Sequence, residues 1–183
     1  MSKKVLILHG LNGSTYPHWQ AQLASDLIQN NYIVSFPELP NKNSPSLEEQ
    51  KEFLKKEIEH FKPNIVVCHS LANILWFHTC DDLDIKLDKL MLVAPVRNEV
   101  LKDAKSFFPY PIVKDLKAKE VIMAASTNDP YMSIEEAIQL QSKLNIGMKI
   151  MENAGHINAD SGFGKLDCAL DWIKKEELCE NNR

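Results

Sequence analysis

At the centre of the chain stands the segment Ile65-Val66-Val67-Cys68-His69-Ser70-Leu71-Ala72. Its first half is a continuous aliphatic run, which is typical of a β-strand covered on both faces. Its second half passes without a spacer into a helical stretch, Leu71–Cys80. A serine at such a junction lies on a sharp turn between strand and helix. The segment therefore predicts a strand of a parallel sheet, with the hydroxyl of Ser70 exposed at the end of that strand.

Strand-like runs recur on both sides of this segment and alternate with helical stretches. The six strand-like runs are Lys4–Leu8, Tyr32–Phe36, Asn64–Cys68, Lys89–Val93, Glu120–Ala124 and Met148–Met151. The helical stretches are a first one that carries Trp19, Leu23 and Leu27, then Leu47–Phe61, Leu71–Cys80, Ile134–Leu144 and Leu166–Leu178. Such alternation is typical of α/β proteins whose helices cover both faces of a parallel sheet. We predict one α/β domain over residues 1–183, a three-layer α/β/α sandwich with a six-stranded parallel sheet, and a frayed tail over residues 176–183.

Composition excludes several classes of protein. The 183 residues are 44% apolar, which is enough for a packed core, and their net charge of −4 lacks the basic face of a nucleic-acid-binding protein. The longest apolar run, Leu90–Val96, falls well short of the roughly 20 residues that a membrane span needs. The N-terminal apolar run is too short for a signal peptide, so we expect a cytoplasmic protein. The four cysteines have no zinc-site spacing, and we expect neither a metal nor a cofactor.

Chemically active side chains follow three of the predicted strands. Ser70 follows the third, Asp129 the fifth and His156 the sixth. The carboxyl ends of parallel strands meet at one edge of a sheet, and the order Ser…Asp…His is that of α/β-hydrolases. A serine hydroxyl needs a base to become nucleophilic, so we expect His156 to take its proton and Asp129 to orient the imidazole. The oxyanion would be bound by the backbone N–H of Leu71 and by that of Leu11 or Asn12.

Each of these residues also has a simpler interpretation. Ser70 is a good N-cap for the following helix, and Asp129 is an ordinary turn residue before Pro130. Asp160 is the nearest rival to Asp129, although it lies four residues beyond His156 rather than after a strand of its own. His156 on its own would be an ordinary loop histidine.

The remaining histidines and a group of aromatic residues have less specific patterns. We expect His9 to shape the oxyanion loop and His69 to pack or hydrogen-bond locally. Three further histidines lie in helical stretches and are expected in the core or on the surface: His18, His60 and His78. An aromatic group could form a small cap that contacts the substrate, with plain packing on the sheet edge as the alternative: Phe107, Phe108 and Tyr110.

Over nearly its whole length, the chain resembles the small serine hydrolases of the retinoblastoma-binding-protein-nine type, a capless branch of the α/β-hydrolases. The resemblance rests on five short motifs: Val5–Gly10 with Trp19, His69-Ser70-Leu71, Asp129-Pro130-Tyr131, Gly155-His156-Ile157-Asn158, and Ser161-Gly162-Phe163-Gly164. It implies a minimal hydrolase fold with a six-stranded sheet and a triad at Ser70, Asp129 and His156. Cys68 and Ala72 depart from the pattern, because the family usually has glycine on both sides of the serine.

The sequence therefore predicts a serine hydrolase that cleaves small carboxylic esters, amides or thioesters through an acyl-enzyme. Its partner would be a small ester-type substrate, with no nucleic acid and no membrane, and the protein would be a monomer or weak homodimer. The altered residues beside Ser70 keep a second hypothesis open, in which a hydrolase-like chain with weak catalysis acts as a protein-binding module.

Overall fold

A computed structural model describes residues 2–97 and 101–175 of the chain. Its centre is a single sheet of six strands in the order β2-β1-β3-β4-β5-β6, and every neighbouring pair is parallel. The strands are β1 Lys4–Leu8, β2 Ile33–Ser35, β3 Ile65–His69, β4 Leu87–Val93, β5 Ala118–Ser126 and β6 Gly147–Met151. All six predicted strands are present, and the predicted α/β fold is confirmed.

Within the described residues, five α-helices cover the two faces of the sheet. They are α1 Trp19–Gln29, α2 Leu47–Phe61, α3 Leu71–Thr79, α4 Ile134–Leu144 and α5 Asp167–Lys174. The bounds of α2 and α4 agree with the prediction, whereas α3 ends one residue earlier. The end of the predicted stretch Leu166–Leu178 and the predicted frayed tail lie outside the described residues.

Successive side chains along each strand point to opposite faces of the sheet, so the core has two parts, one on each face. Leu6 and Leu8 of β1 pack with α2, α3 and α4, while Val5 and Ile7 pack with α1 and α5. A strand that is apolar throughout therefore serves both layers. The helices therefore form the two outer layers of an α/β/α sandwich, and only the ends of the sheet remain open for a site.

The bounds of β5 differ most from the prediction, since the predicted Glu120–Ala124 extends to Ala118–Ser126. The two edge strands differ instead in burial, because neither contains a buried residue. The predicted Tyr32–Phe36 shortens to Ile33–Ser35, whose residues are half-buried or exposed. Strand β6 also carries exposed residues, among them Ile150. Each edge strand pairs on one side only, so it receives fewer backbone hydrogen bonds and less cover than the central strands.

A buried lysine fastens one outer helix to the sheet. Lys89 lies on the central strand β4, and its side chain is 2% exposed. Its ammonium donates to the carbonyl oxygens of Trp172 and Lys175 at the C-terminal end of α5, lies 5.0 Å from the centre of the Trp172 ring, and is 3.7 Å from the carboxylate of Glu120. A cation suits this position because the last carbonyls of a helix have no partner within the helix and carry partial negative charge.

We predict that Lys89→Met lowers the free energy of unfolding by about 2–3 kcal/mol, because two helix-end carbonyls lose a charged donor. Urea denaturation at constant m-value measures this loss. Lys165→Met is the control, since Lys165 forms an exposed pair with Asp167, and its effect should stay within about 0.5 kcal/mol. Equal effects of the two substitutions would show that Lys89 does not fasten the helix.

Candidate active site

Ser70 lies on a strained turn between β3 and α3. Its backbone has φ 55° and ψ −121°, a conformation that costs a residue other than glycine about 1–3 kcal/mol. Its side chain makes no capping hydrogen bond to the helix, so the N-cap alternative is wrong. The turn instead presents the Ser70 hydroxyl at the carboxyl end of the sheet.

Asn73 holds this turn from inside the helix. Its side-chain amide donates to the carbonyl oxygens of Ser70 and Val93, at 2.8 and 2.9 Å. The Ser70 N–H also donates to the Val93 carbonyl, at 3.0 Å. The turn is therefore tied to the end of β4. Asn73 was not among the predicted site residues, although a single amide in the otherwise apolar run Leu71–Phe77 was a usable signal. In the structure it is fully buried.

The two residues that replace the usual glycines fit beside the turn. Cys68 and Ala72 are both buried in the core, at 0% and 1% exposure. Burial raises the pKa of the Cys68 thiol far above its usual value, so the group stays protonated and inert. The tightest approach to Ser70 comes from Gly10 instead, where an added Cβ would lie 2.7 Å from the Ser70 Cβ.

His156 connects Ser70 to a buried carboxylate. Its Nε2 lies 2.8 Å from the Ser70 hydroxyl oxygen, and its Nδ1 lies 2.9 and 3.0 Å from the two carboxylate oxygens of Asp129. The side chains of His156 and Asp129 are 8% and 3% exposed. The N–H of Tyr131 donates to Asp129 at 2.8 Å and helps to orient the carboxylate. Asp160, the rival acid, is an exposed residue of the cleft wall.

Side-chain hydrogen bonds fix the loop that carries His156. The Ser126 hydroxyl accepts from the Ala154 N–H at 2.9 Å, and the Asn128 side chain accepts from the Gly155 N–H at 2.7 Å. The Ser161 hydroxyl accepts from the His156 N–H itself, at 3.1 Å. The loop after an exposed edge strand is thus tied to the end of β5. Ser161 belongs to one of the motifs quoted above, and Ser126 and Asn128 closely precede Asp129, but their supporting role depends on contacts that the sequence does not show.

His9 orients the peptide group between Gly10 and Leu11. Its Nε2 accepts from the Leu39 N–H at 2.9 Å, so its proton is on Nδ1, which donates to the Gly10 carbonyl at 2.7 Å. A trans peptide is planar, with its carbonyl and N–H on opposite sides, so this bond also fixes the direction of the Leu11 N–H. The Asn12 N–H donates to the Lys42 carbonyl at 2.9 Å and is therefore occupied, which corrects the expectation that it binds an oxyanion.

Two further histidines lie beside His156, and burial keeps both uncharged. His69 is 5.2 Å from the His156 ring centre, and its Nε2 donates to the His156 carbonyl at 3.1 Å. His18 packs edge-on against His69 at 4.9 Å. Loss of solvent lowers the pKa of His18 to about 4 and that of His69 well below its ordinary value, with His156 as the next cause in each. His18 was expected within a helical stretch, in the core or on the surface. In the structure it is instead the N-cap of α1, and its place beside the site was not predicted.

The cleft beside Ser70 has a volume of about 270 Å³. Leu101 and Tyr131 line it, and the Tyr131 ring meets the His156 ring edge-on at 4.5 Å. The three aromatic residues that were expected to contact the substrate lie outside the lining: Phe107, Phe108 and Tyr110. Phe107 is fully buried, and the other two pack against the core, so the packing alternative is the correct one. Apolar rings near a sheet edge gain more from joining the core than from facing solvent.

Residues 2–97 and 101–175 contain neither a metal-binding cluster nor a membrane-spanning helix. No cluster of three or more histidine, cysteine, aspartate or glutamate side chains there could hold a metal ion. No helix in that part of the chain combines the length and apolar character needed to cross a bilayer.

We predict that Gly10→Ala lowers the rate at which a fluorophosphonate modifies Ser70 by at least about 10²-fold, because the new Cβ displaces the serine. Intact-protein mass spectrometry measures the rate. In the control, Gly147→Ala, the new Cβ meets the Val121 carbonyl at an ordinary 3.6 Å, and the rate should be unchanged. Normal labelling of Gly10→Ala would show that the close approach has no effect.

The depressed pKa of His18 predicts a loss of stability in acid. The unfolded chain binds this proton near pH 6.5 and the folded chain only near pH 4, so the stability present above pH 6.5 falls as the pH drops towards about 4. His18→Ser keeps a capping side chain and should reduce the loss between pH 7 and pH 5 by about 1 kcal/mol. Urea denaturation at the two pH values tests this, with the exposed His60→Gln as control. Equal acid losses in wild type and His18→Ser would contradict it.

The chain is similar to several known proteins over nearly its whole length. YdeN of Bacillus subtilis is 26% identical over 183 residues, which cover 94% of this chain and 95% of YdeN. The structure of the ydeN gene product aligns with a TM-score of 0.80 at 23% identity, over 94% of this chain and 97% of that chain. An α/β hydrolase from a sediment metagenome of the Mar Chica lagoon aligns at 0.74 with 17% identity, over 95% and 91%. The esterase domain of a Rhodothermus marinus protein aligns at 0.68 with 11% identity, over 93% and 86%.

These structures share a minimal α/β-hydrolase fold with this chain. Residues 5–175, which are almost the whole chain, match a sequence family described as "Serine hydrolase". The protein therefore belongs to the serine hydrolase family and is an enzyme of the hydrolase type.

Proposed function

We propose that this hydrolase cleaves small carboxylic esters through an acyl-enzyme formed on Ser70, with amides and thioesters as further substrates. The observation that carries the proposal is the chain of hydrogen bonds from Ser70 through His156 to Asp129. A hydroxyl within reach of an imidazole, which a buried carboxylate orients in turn, is the arrangement that activates a serine for acyl transfer.

The proposed reaction has two halves. His156 takes the Ser70 proton while the oxygen attacks the ester carbonyl, then gives the proton to the leaving alcohol. Water then attacks the acyl-enzyme, with His156 as the base again, and the acid is released. Asp129 holds the proton-bearing Nδ1 of His156 and stabilises the imidazolium, while remaining ionised itself.

The oxyanion donors are proposed to be the backbone N–H groups of Leu71 and Leu11. The Leu71 N–H opens helix α3, where the first N–H groups have no partner within the helix and the helix dipole favours negative charge. The Leu11 N–H belongs to the peptide that His9 orients. Neither N–H has a hydrogen-bond partner among the described residues.

Substrate size is expected to be small. The cleft volume of about 270 Å³ lies just below the range of about 300–1,000 Å³ that is usual for ligand pockets. Short acyl groups fit such a space, whereas long chains would extend into solvent. The Rhodothermus marinus neighbour is an esterase domain, which supports ester chemistry for this fold.

Three finer expectations stay predictions: the retinoblastoma-binding-protein-nine type, a cytoplasmic location, and a monomer or weak homodimer. The binding-module hypothesis rested on the replacement of two glycines beside Ser70. Because Cys68 and Ala72 are accommodated beside a fully formed turn, this replacement no longer favours that hypothesis.

We predict that Ser70→Ala, His156→Ala and Asp129→Asn each lower kcat/KM for para-nitrophenyl acetate by at least about 10³-fold. Fluorophosphonate should label the wild type at Ser70, and peptide mass spectrometry should locate the label. Ser142→Ala is the control, since Ser142 lies exposed on α4. Full activity of Ser70→Ala would show that another group performs the reaction.

Across a series of para-nitrophenyl esters, we predict that kcat/KM falls as the acyl chain lengthens from acetyl to palmitoyl. The physical reason is that the cleft holds only a short chain. Stopped assays below the micelle concentration of each ester measure the trend. A steady rise towards palmitoyl would show that a longer acyl site exists.

A further inference from the structure

Ser14 lines the cleft, and its hydroxyl has no hydrogen-bond partner. The residue is 5% exposed, and its Oγ is buried without a hydrogen-bond partner. Among the described residues, two other buried side-chain oxygens lack a partner, on Gln20 and Asn73, but neither residue lines the cleft. A buried hydroxyl without a partner is unfavourable, because it has lost its hydrogen bonds to water. Because Ser14 lines the cleft, a rotation of its side chain about χ1 would bring this hydroxyl to a ligand atom that satisfies it.

His18 supplies a hydrogen-bond donor to the same cleft. Its Nδ1 accepts from the Gln20 N–H at 3.2 Å, so the proton of the neutral ring is on Nε2. Nε2 has no hydrogen-bond partner among the described residues, and His18 lines the cleft together with Ser14 and Ser70. With its pKa lowered to about 4 by burial, the ring stays neutral at physiological pH and keeps this N–H donor. The proposed mechanism gives His18 no role.

The charge of the cleft limits what it binds. No lysine or arginine is among the described lining residues, and Asp160 adds a negative charge at the rim. An anionic substrate would meet no countercharge. A hydroxyl group suits the two polar side chains, because it accepts from the His18 Nε2–H while it also exchanges a hydrogen bond with the Ser14 hydroxyl.

We propose that Ser14 and His18 form a subsite that binds a free hydroxyl of an uncharged, short-chain ester. The enzyme therefore prefers esters of small hydroxy acids or monoesters of small polyols over alkyl esters of equal size. This inference rests on the proposed function, because it assigns the substrate of the reaction at Ser70.

Two pairs of isosteric esters test the preference. Ethyl lactate and ethyl isobutyrate differ by a hydroxyl in place of a methyl on the acyl side. Ethylene glycol monoacetate and propyl acetate differ in the same way on the alcohol side. Hydrolysis is followed by pH-stat titration, and the measured quantity is the ratio of kcat/KM within each pair, divided by the ratio of the hydroxide-catalysed rate constants of the same two esters. We expect a ratio of at least about tenfold in one pair, and that pair identifies the side that carries the hydroxyl.

Substitutions then assign the preference to the two residues. Ser14→Ala and His18→Ser should each reduce the ratio to within about threefold of unity, while Ser142→Ala should leave it unchanged. Ser14→Ala removes a hydroxyl that has no partner, so its thermal midpoint should not fall, which separates a binding role from a structural one. If His18→Ser unfolds, Ser14→Ala alone decides.

The outcomes distinguish this inference from the proposed function. Ratios near unity in a wild type that hydrolyses both members of each pair would overturn the subsite and leave the esterase intact. A preference that persists in both variants would also overturn the assignment to Ser14 and His18. A wild type that hydrolyses no ester and takes no fluorophosphonate label would overturn the proposed function and the subsite together.

Discussion

The strained backbone of Ser70 is the constraint on which the site depends. A positive φ at a serine is unfavourable, and the turn persists because its neighbours determine it: the Ser70 N–H and the Asn73 amide both end on the Val93 carbonyl. The central strands β3 and β4 thus fix the position of the hydroxyl. The close approach of Gly10 follows, because the first loop must pass against the turn with no side chain between them.

The position of His156 is fixed by a loop rather than by the central strands. His156 follows β6, an edge strand with exposed residues, and sheet pairing alone would position it poorly. Its position comes instead from side chains at the end of β5 and from Ser161, which bind the N–H groups of the loop one after another. The proposed base, His156, lies 2.8 Å from its nucleophile. This distance therefore depends on the few polar contacts that hold the His156 loop in place.

The sequence predicted those features that depend on the local pattern of residues along the chain. Continuous aliphatic runs predicted six parallel strands, and the residues that follow them predicted Ser70, Asp129 and His156 at one edge. It could not predict contacts between loops. The hydrogen bond from the Asn12 N–H to the Lys42 carbonyl joins residues 30 positions apart. It decides which N–H groups of the first loop remain available to bind an oxyanion. His18 was assigned to a helix, although it caps one and enters the cleft. Phe107 was placed over the site because it is aromatic, but burial in the core is the stronger effect.

Burial of the neighbouring histidines also matters for the proposed chemistry. The mechanism requires His156 to become positive between Ser70 and Asp129. His69 and His18 lie in line beside it, with ring centres 5.2 and 4.9 Å apart along the row. A positive charge on His69 would oppose proton transfer to His156, because unit charges 5.2 Å apart repel by about 1–3 kcal/mol even in a well-screened site. Desolvation lowers the pKa of both rings, so they stay neutral and Asp129 acts on His156 without opposition. The same burial leaves His18 with an uncharged N–H at the cleft, so one physical cause protects the base and creates a donor for substrate.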